Sequence, residues 1–470
     1  MTELHNLNAT QILPMYQTRK LSPVEVATAV LEHIATWEPH LNATFDDDRE
    51  STLRMARESE ARWQRGEPCG PLDGVPVSVK DILAITGRCS PVGTRFSKPS
   101  PAQVDAPPVA RLRESGAVFV CRTTMPDFGL LISGRSDLYG TTRNPWDVTR
   151  NTGGSSSGAG AAVAAGYGPL HLGTDIAGSV RMPASWCGVF GLKPSLGRIP
   201  IDPPYIGRVT GPMTRTVADA ALLMEVLSKP DIRDFTSLPP VSISWRDLGE
   251  DAAFVRGKRI AILLETGTDV SVDPDIESAV RDAGRTLQAA GAVVEPIKPW
   301  LDRSALEAYY DLLRIRLRIE LEPFAVDRGN VPAFLRTWAS TTGVATAEDM
   351  LKILHALFQI RSATIAATAS YDYMLSPTAP MAAIPAENYC ASNQPVDGLS
   401  DGVFTQPFNL SEQPAASINC GYTKGGLPIG LQIVGRRFDD LGVLKMARAW
   451  EHLRGAQRSW PKPPMAKLDA

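Results

Sequence analysis

The stretch RNTGGSSSGAGAAVAAG, residues 150–166, combines glycine, serine and alanine in a way that ordinary surface loops do not. Three serines stand between Gly154 and Gly158, and the alanine-rich segment that follows has high helix propensity and small side chains suited to close packing. A flexible linker would be polar and unpatterned. The stretch therefore indicates a structured turn that leads into a helix.

Familiar glycine-rich motifs do not fit this stretch. A P-loop requires lysine and a hydroxyl residue where Ala159 and Gly160 stand, and a dinucleotide-binding turn requires a preceding strand that the sequence does not predict. A G-x-S-x-G nucleophile turn matches around Ser156, but it should follow an apolar strand, and the residues before it are polar. Its base would be one of the later histidines, none of which lies in a convincing motif: His171, His355 and His452.

Composition limits the partners of the chain. The 470 residues include 48 Lys and Arg and 51 Asp and Glu, and no long block carries one sign of charge. This charge pattern does not indicate binding to nucleic acid or to an anionic membrane. The six cysteines form no C-x-x-C pair, and no apolar run reaches the ~18 residues of a spanning helix. We expect a cytoplasmic enzyme that acts on a small molecule without metal or cofactor. A homodimer is left open.

Alternating helix and strand patterns predict an α/β fold. A helix begins after Ser22, which is followed by Pro23 and by Glu25 at the capping-box position. Apolar runs predict strands at 75–80, 117–124 and 171–177, the first ending at Lys80. Strand ends are where such folds place their chemistry.

The second half of the chain is less regular. Residues 228–245 are rich in Pro, Ser and Asp and predict a long loop, and KRIAILLE (258–265) predicts a strand. Helical patterns from Asp273 to about Tyr371 predict a peripheral helical layer. The remaining residues predict strands and turns, whose edge could rejoin the central sheet.

Three segments occur in a telling order: GVPVSVKD at 74–81, GGSSSG at 153–158 and GTDIAGSVR at 173–181. Together they resemble the amidase signature family of serine hydrolases, in which two of the catalytic serines lie 24 positions apart, as Ser155 and Ser179 do here. The stretches TRNPWD, FGLKPS, GPMTRTVADAA and GLPIGLQIVGRR also resemble family landmarks, so the resemblance covers nearly the whole chain.

The resemblance implies a large mixed, twisted β-sheet covered by helices on both faces, with a peripheral helical layer. It implies one amidase domain over residues 1–470. Within it we expect a catalytic core at about 65–225, a variable helical region on the substrate side at about 230–375, and a return to the sheet at 376–470.

Position by position, the resemblance makes Ser179 the nucleophile, Lys80 the base and Ser155 the serine that bridges them. It also implies a cis peptide bond between Gly154 and Ser155. A hydroxyl needs an adjacent base, and lysine can serve only when neutral. Burial against apolar strand residues would lower its pKa, whereas Asp81 would oppose this shift if it pointed inward.

The other serines and the second turn complete the expected site. Ser156 and Ser157 are predicted to satisfy local backbone groups and to cap the alanine-rich helix. In the family, backbone N–H groups of the second turn form the oxyanion hole, here those of Ile176, Ala177, Gly178 and Ser179. Ala177 replaces the usual glycine, and would be strained if that position required positive φ. Asp175 and Arg181 either pair to brace this turn or are unrelated surface charges.

The resemblance also implies residues on the substrate side. By its likeness to a family segment, MPDFGLLISG would place Ser133 near the catalytic centre, with Leu130 and Leu131 either forming an acyl-pocket wall or packing in the core. Arg208 either meets an anionic substrate or is a solvated side chain.

These residues lead to a functional hypothesis with two alternatives. The leading one is hydrolysis of a C–N amide bond in a small molecule through an acyl-enzyme, and aryl amides, carbamates (urethanes), hydrazides and esters share that geometry. Within the family, the chain could instead be the glutaminase component of a tRNA-dependent amidotransferase. From another class, it could be a nucleotide-binding or non-catalytic protein that keeps the glycine-serine loop for packing.

Overall fold

The computed structural model describes residues 3–249, 252–322, 331–343 and 346–464. The helices in this part are α1 (Ala9–Gln17), α2 (Pro23–Leu41), α3 (Arg49–Arg65), α4 (Pro107–Glu114), α5 (Ser157–Ala165), α6 (Arg181–Cys187), α7 (Val217–Leu227), α8 (Pro274–Ala289), α9 (Arg303–Leu321), α10 (Ala333–Ser340), α11 (Ala347–Thr368), α12 (Gln406–Leu410) and α13 (Asp440–Leu453). None of the helices in these ranges is both long and apolar enough to cross a membrane.

The strands are β1 (Thr44–Asp46), β2 (Pro76–Lys80), β3 (Val118–Thr123), β4 (Arg135–Ser136), β5 (Gly140–Thr141), β6 (Arg143–Asn144), β7 (Asp147–Asn151), β8 (Leu170–Asp175), β9 (Phe190–Lys193), β10 (Val209–Thr214), β11 (Arg259–Ile262), β12 (Val293–Pro296), β13 (Tyr373–Pro377), β14 (Ala415–Tyr422) and β15 (Pro428–Gly435). Eleven of them form one sheet in the order β1-β3-β2-β8-β10-β9-β14-β15-β13-β11-β12. Because β2 pairs parallel with β3 and β8 while β10 pairs antiparallel with β8, the sheet is mixed, as predicted.

Neighbouring residues of the central strands point to opposite faces of this sheet. In β13, Leu375 belongs to the apolar layer formed with α7, α8 and α13, whereas Met374 belongs to the layer formed with α9–α11. In β15, Ile433 and Val434 divide in the same way. Helices α5 and α6 also pack against the strands of the sheet. Their apolar side chains form a cluster separate from the one that contains α7, α8 and α13. Helices therefore cover both faces, which confirms the predicted fold class.

The predicted helical layer is divided between the two faces of the sheet, because α9–α11 pack on one face and α8 packs on the other with α7 and α13. Helix α8 begins after Asp273, whose side chain accepts a hydrogen bond from the N–H of Asp275, and residues 228–245 form no helix or strand, as predicted. The sequence did not predict β12, because this edge strand is four residues long and none of its residues is buried. Parts of the predicted 230–375 region, namely 250–251, 323–330 and 344–345, lie outside the described residues.

The C-terminal part returns to the central sheet, as predicted. Strands β13, β14 and β15 lie inside the sheet, between β9 and β11, and the unpredicted helix α13 follows them.

The prediction that no strand precedes the glycine-serine turn is wrong, although β7 is short. It pairs with β6 in a separate ribbon and makes one further bridge, from Arg150 to Pro385. Position within a sheet depends on long-range pairing, which local patterns do not encode.

Candidate active site

The end of β2 places Lys80 at the centre of the candidate site. Val77 and Val79 point into the apolar layer, so the alternating direction of strand side chains sends Lys80 to the other face. The neighbouring strand β8 runs parallel to β2, with Val79 paired to Leu172. The carboxyl ends of the two strands therefore meet at one edge, where open α/β sheets hold their reactive groups.

Three hydroxyl groups surround the fully buried amine of Lys80. Its Nζ lies 2.8 Å from Ser155 Oγ, 2.9 Å from Thr174 Oγ1 and 3.1 Å from Ser156 Oγ. Across the described ranges, no carboxylate lies within ion-pair distance of Nζ. Burial lowers the pKa of Lys80 to about 7, because desolvation outweighs the opposing charges of Asp175 and Asp81.

Asp81 points away from the amine beside it. Its Oδ2 accepts hydrogen bonds from the N–H of Gly93 at 2.7 Å and from the hydroxyl of Tyr139 at 3.0 Å. Its other oxygen lies 3.7 Å from the guanidinium of Arg122. Asp81 therefore does not pair with Lys80. Its charge raises the pKa of Lys80, as considered from the sequence, but desolvation outweighs this effect.

The glycine-serine turn brings Ser155 to the amine. The peptide bond between Gly154 and Ser155 is cis, as the resemblance implies. A side chain at Gly154 would meet the carbonyl oxygen of Ser133 at 2.3 Å, which explains why glycine is needed there. The next residue joins the two turns, because the N–H of Ser156 donates to the carbonyl of Ser179 at 3.1 Å.

The predicted capping role of the next two serines is wrong. Helix α5 begins at Ser157, and the side chain of Ser156 makes no capping hydrogen bond. Instead, Ser156 Oγ donates to the carbonyl of Thr174 at 3.2 Å and contacts Lys80, while Ser157 Oγ donates to the carbonyl of Thr124 at 3.3 Å. Both hydroxyls bind to strand ends because the turn is packed against them, so they tie the turn to the sheet.

Ser179 lies two residues before α6 and faces the same small cavity as Ser155. Among the described residues, no hydrogen bond joins the two Oγ atoms. A hydrogen bond thus joins two of the three predicted catalytic side chains, Lys80 and Ser155. The third, Ser179, lines the same cavity as Ser155. Catalytic hydrogen bonds are often long or poorly aligned until the substrate complex forms, so this geometry is compatible with a relay.

The turn after β8 contains the predicted oxyanion donors. One of them, Gly178, has a φ of +113° and donates its N–H to Asp175 Oδ1 at 2.8 Å. The other predicted donors do not bond to Asp175: Ile176, Ala177 and Ser179. Ala177 lies outside the left-handed region, so the strain considered for its Cβ does not arise.

Two hydroxyls from distant parts of the chain hold the carbonyl groups of this turn. Tyr309 of α9 donates to the carbonyl of Ile176, and Thr405 Oγ1 donates to the carbonyl of Ala177 at 2.7 Å. Fixing these carbonyls also fixes the directions of the attached peptide N–H groups, because the peptide unit is planar. Neither contact leaves a sign in the local sequence, since both depend on tertiary packing.

A buried ion pair braces the same turn. Arg181 Nε and Nη2 donate to the carboxylate of Asp175 at 3.0 and 2.9 Å, and both side chains are fully buried. Although burial alone raises the pKa of Asp175, the guanidinium and its hydrogen bonds hold it below the ordinary value. Arg181 also donates to three groups near the C-terminus: the carbonyl of Thr405, Asn409 Oδ1 and Gln432 Oε1. The pairing that the sequence left open is therefore present.

Replacing Asp175 by alanine is expected to destabilise the fold by about 3–5 kcal/mol, because Arg181 would be left buried without its anion. Asp175→Asn keeps hydrogen-bond acceptors at the turn and should cost less. Urea unfolding of the two variants and the wild type measures this difference. Equal unfolding midpoints for all three proteins would show that the pair does not support the turn.

The remaining predicted residues lie around this centre. Ser133 is buried, and its backbone borders Gly154. Leu130 and Leu131 are buried in the apolar layer with Ile176 and do not border the cavity beside Ser179, as far as the described residues define it. Arg208 does border that cavity. Thr174, which the sequence did not single out, could have been found from its place at the end of a strand parallel to β2.

Comparison with known proteins agrees with this geometry. Residues 25–444 match the family model described as Amidase. The chain is 34% identical to the A component of the glutamyl-tRNA(Gln) amidotransferase of Myxococcus xanthus (strain DK1622), over 96% of this chain and 97% of that protein. It is also 34% identical to an acylamidase of Rhodococcus erythropolis, over 97% of each.

Solved structures extend the likeness to the fold. A bacterial aryl acylamidase of the amidase signature family superposes with a TM-score of 0.87 at 28% identity, covering 96% of this chain and 97% of that one. A 6-aminohexanoate cyclic dimer hydrolase superposes with a TM-score of 0.85 at 28% identity, covering 96% and 98%. The chain therefore belongs to the amidase signature family and is a C–N hydrolase of the amidase type.

Proposed function

We propose that this protein hydrolyses the amide bond of a small molecule through an acyl-enzyme on Ser179, with Ser155 and Lys80 as the proton relay. The observation that carries the proposal is the buried amine of Lys80, 2.8 Å from Ser155 Oγ and free of a carboxylate partner in the described ranges. An amine in this environment gives up its proton near neutral pH. It can then accept one from a hydroxyl.

The three hydroxyls around Lys80 match the needs of a neutral amine. A neutral amine has two N–H donors and one lone pair. Ser156 Oγ donates to the carbonyl of Thr174, so it can accept from the amine, and Thr174 Oγ1 can accept the second N–H. The lone pair then faces the hydroxyl proton of Ser155. This arrangement prepares Ser155 to pass a proton from Ser179 to Lys80.

The proposed reaction has two steps. Ser179 Oγ attacks the substrate carbonyl while its proton moves through Ser155 to Lys80, and the C–N bond breaks as the relay returns a proton to the leaving amine. Water then attacks the acyl ester and loses a proton to the same relay. As the ester C–O bond breaks, the relay returns this proton to Ser179 Oγ and the acid is released. Backbone N–H groups of Ile176, Ala177 and Ser179 stabilise the negative oxygen in both steps, because that of Gly178 already donates to Asp175. Such donors are typically worth about 3–4 kcal/mol each.

The rate should depend on pH through Lys80. Its pKa in the folded protein is about 7, and only the neutral form accepts a proton, so kcat/KM should fall tenfold per pH unit well below 7 and level off above about 8. A pH profile on a neutral amide, which does not titrate in this range, measures this directly. A maximum near pH 5 would contradict a lysine base.

The range of acyl and leaving groups follows from the shared tetrahedral geometry. Aryl amides are included because the aryl acylamidase is similar in fold, and carbamates, hydrazides and esters because they offer an equivalent carbonyl. Assay of purified protein with matched anilides, carbamates, hydrazides and esters ranks these classes. Turnover of esters alone, with every amide inert, would contradict an amidase.

A second candidate is the release of ammonia from glutamine within a tRNA-dependent amidotransferase. It is favoured by the 34% identity to the A component of a glutamyl-tRNA(Gln) amidotransferase over nearly the full length of both proteins. This function requires partner proteins. Ammonia release from glutamine, measured with the chain alone and with the other amidotransferase components added, separates it from the leading proposal.

A further inference from the structure

The cavity beside Ser179 is small and carries positive charge. The space inside it that a water molecule could occupy is about 10 Å³, so a substrate must displace lining side chains to enter. Two guanidinium groups line it and, among the described residues, no carboxylate does; the lining consists of Ile82, Phe128, Gly129, Ser155, Thr174, Ile176, Ser179, Arg208 and Arg316. The proposed nucleophile and two cations therefore share one space with an apolar wall.

Arg316 is already neutralised by its own surroundings. Its Nε donates to Glu320 Oε1 at 2.7 Å, one turn further along α9, and its Nη2 donates to the carbonyl of Phe128 at 3.3 Å. The guanidinium also lies over the ring of Tyr205, 5.3 Å from its centroid. These contacts fix Arg316 as part of the cavity wall and leave little of its charge for a ligand.

Arg208 lacks such a partner. It stands immediately before β10, and its Nη2 donates to the carbonyl of Pro203. Its Nε is buried without a hydrogen-bond acceptor, and no carboxylate of the described residues comes within ion-pair distance of its guanidinium. Arg208 is partly buried, and a charge withdrawn from water is costly unless it is paired. Its guanidinium, which lines the same cavity as Ser179 without an ion-pair partner, can therefore bind an anion that arrives with the substrate.

We propose that the substrate carries a carboxylate a short spacer away from the scissile carbonyl, and that Arg208 binds this carboxylate. The inference rests on the proposed amide hydrolysis at Ser179. Arginine matches a carboxylate with two parallel hydrogen bonds, which fixes orientation as well as affinity. Because Ser179 and Arg208 line the same small cavity, the spacer is restricted to a few atoms, so half-amides of short dicarboxylic acids have the right chemistry.

Arg208 has a competing role that the experiment must separate. Its charge, with that of Arg316, is a lesser cause of the lowered pKa of Lys80. If this were its whole contribution, its removal would shift the pH profile and slow every substrate alike. Carboxylate binding instead predicts a loss confined to anionic substrates.

The test compares N-phenylsuccinamate with N-phenyl-4-oxopentanamide, in which a methyl ketone replaces the carboxylate. The wild type should hydrolyse the anion about 10- to 100-fold more efficiently in kcat/KM. Arg208→Met should abolish this preference while changing the neutral amide less than threefold and keeping its pH midpoint. Arg246→Met, which removes an exposed arginine paired with Glu225, is the matched control and should change neither substrate.

The position of the carboxylate and the binding step need separate measurements. A second pair, 3-acetamidobenzoate and 3-acetamidoacetophenone, moves the charge to the leaving amine and distinguishes the two sides of the scissile bond. Calorimetric binding of N-phenylsuccinamate to Ser179→Ala reports recognition without turnover, and adding Arg208→Met should weaken it by about 10- to 100-fold.

Three results would overturn the inference. The wild type could prefer both neutral amides, Arg208→Met could slow neutral and anionic substrates equally, or binding to Ser179→Ala could be indifferent to Arg208. Carboxylate binding that depends on Arg208, without hydrolysis of any amide, would instead overturn the proposed function and leave the recognition site standing.

Discussion

Replacing Ser179 by alanine is expected to lower kcat/KM for amide hydrolysis by about 10⁴-fold or more, because no other group can form the acyl ester. The residual rate would come from substrate positioning and from the backbone donors of the turn at 176–179. Steady-state assay on the best amide of the panel gives the number. The unfolding midpoint should stay close to that of the wild type, since Ser179 Oγ makes no hydrogen bond within the described residues.

A control and a chemical label sharpen this prediction. Ser157→Ala removes a neighbouring hydroxyl that bonds to the carbonyl of Thr124, and it should keep activity within about threefold. A fluorophosphonate should modify the wild type once, at Ser179 by mass spectrometry. Labelling at another serine, or undiminished hydrolysis by Ser179→Ala, would refute the proposed nucleophile. The absence of any labelling and turnover would favour a non-catalytic or nucleotide-binding protein.

Replacing Lys80 by methionine is expected to lower kcat/KM by about 10²- to 10⁴-fold, the usual contribution of a general base. Methionine fills a similar volume, and the buried site loses an amine that is costly to charge, so the fold should survive. The rise in rate between pH 6 and 8 should disappear with the amine. Rate measurements across this range, together with fluorophosphonate labelling of Ser179, check both expectations.

Lys193 provides a matched comparison for this variant. It is also fully buried, desolvation lowers its pKa to about 7, and its Nζ donates to the carbonyl of Pro194 at 2.9 Å. Lys193→Met should keep activity within about tenfold and retain the pH profile. If Lys80→Met is labelled as fast as the wild type, or if the pH dependence follows Lys193, then Lys80 is not the base.

The proposed catalytic side chains could be predicted from the sequence because each lies in a short segment with its own backbone requirement. Lys80 ends a strand of alternating valines, and Ser155 follows Gly154, where an added Cβ would strike the carbonyl of Ser133. Such requirements are local, so they leave a readable pattern. The same reasoning predicted the start of α2 and the strand β2 at their observed positions.

Features that depend on tertiary contacts were not predictable in this way. Tyr309 and Thr405 reach the turn at 176–179 from the distant segments α9 and 400–405, and nothing in their own surroundings marks them. Ser156 resembles a helix cap because serine is common there, but its hydroxyl instead bonds a carbonyl at the end of β8 and the amine of Lys80 at the end of β2. The order of strands and the weak edge strand β12 were missed for the same reason.

The central position of β14 and β15 has a consequence for biosynthesis. A ribosome has already made Lys80, Ser155 and Ser179 when β9 emerges, yet β9 pairs on one side with β14, which is among the last segments translated. The guanidinium of Arg181 likewise lacks two of its hydrogen-bond acceptors until Asn409 and Gln432 have been synthesised. We therefore expect the proposed activity to require the complete polypeptide. A prematurely terminated chain would contain Lys80, Ser155 and Ser179 but would lack the strands that hold them in place.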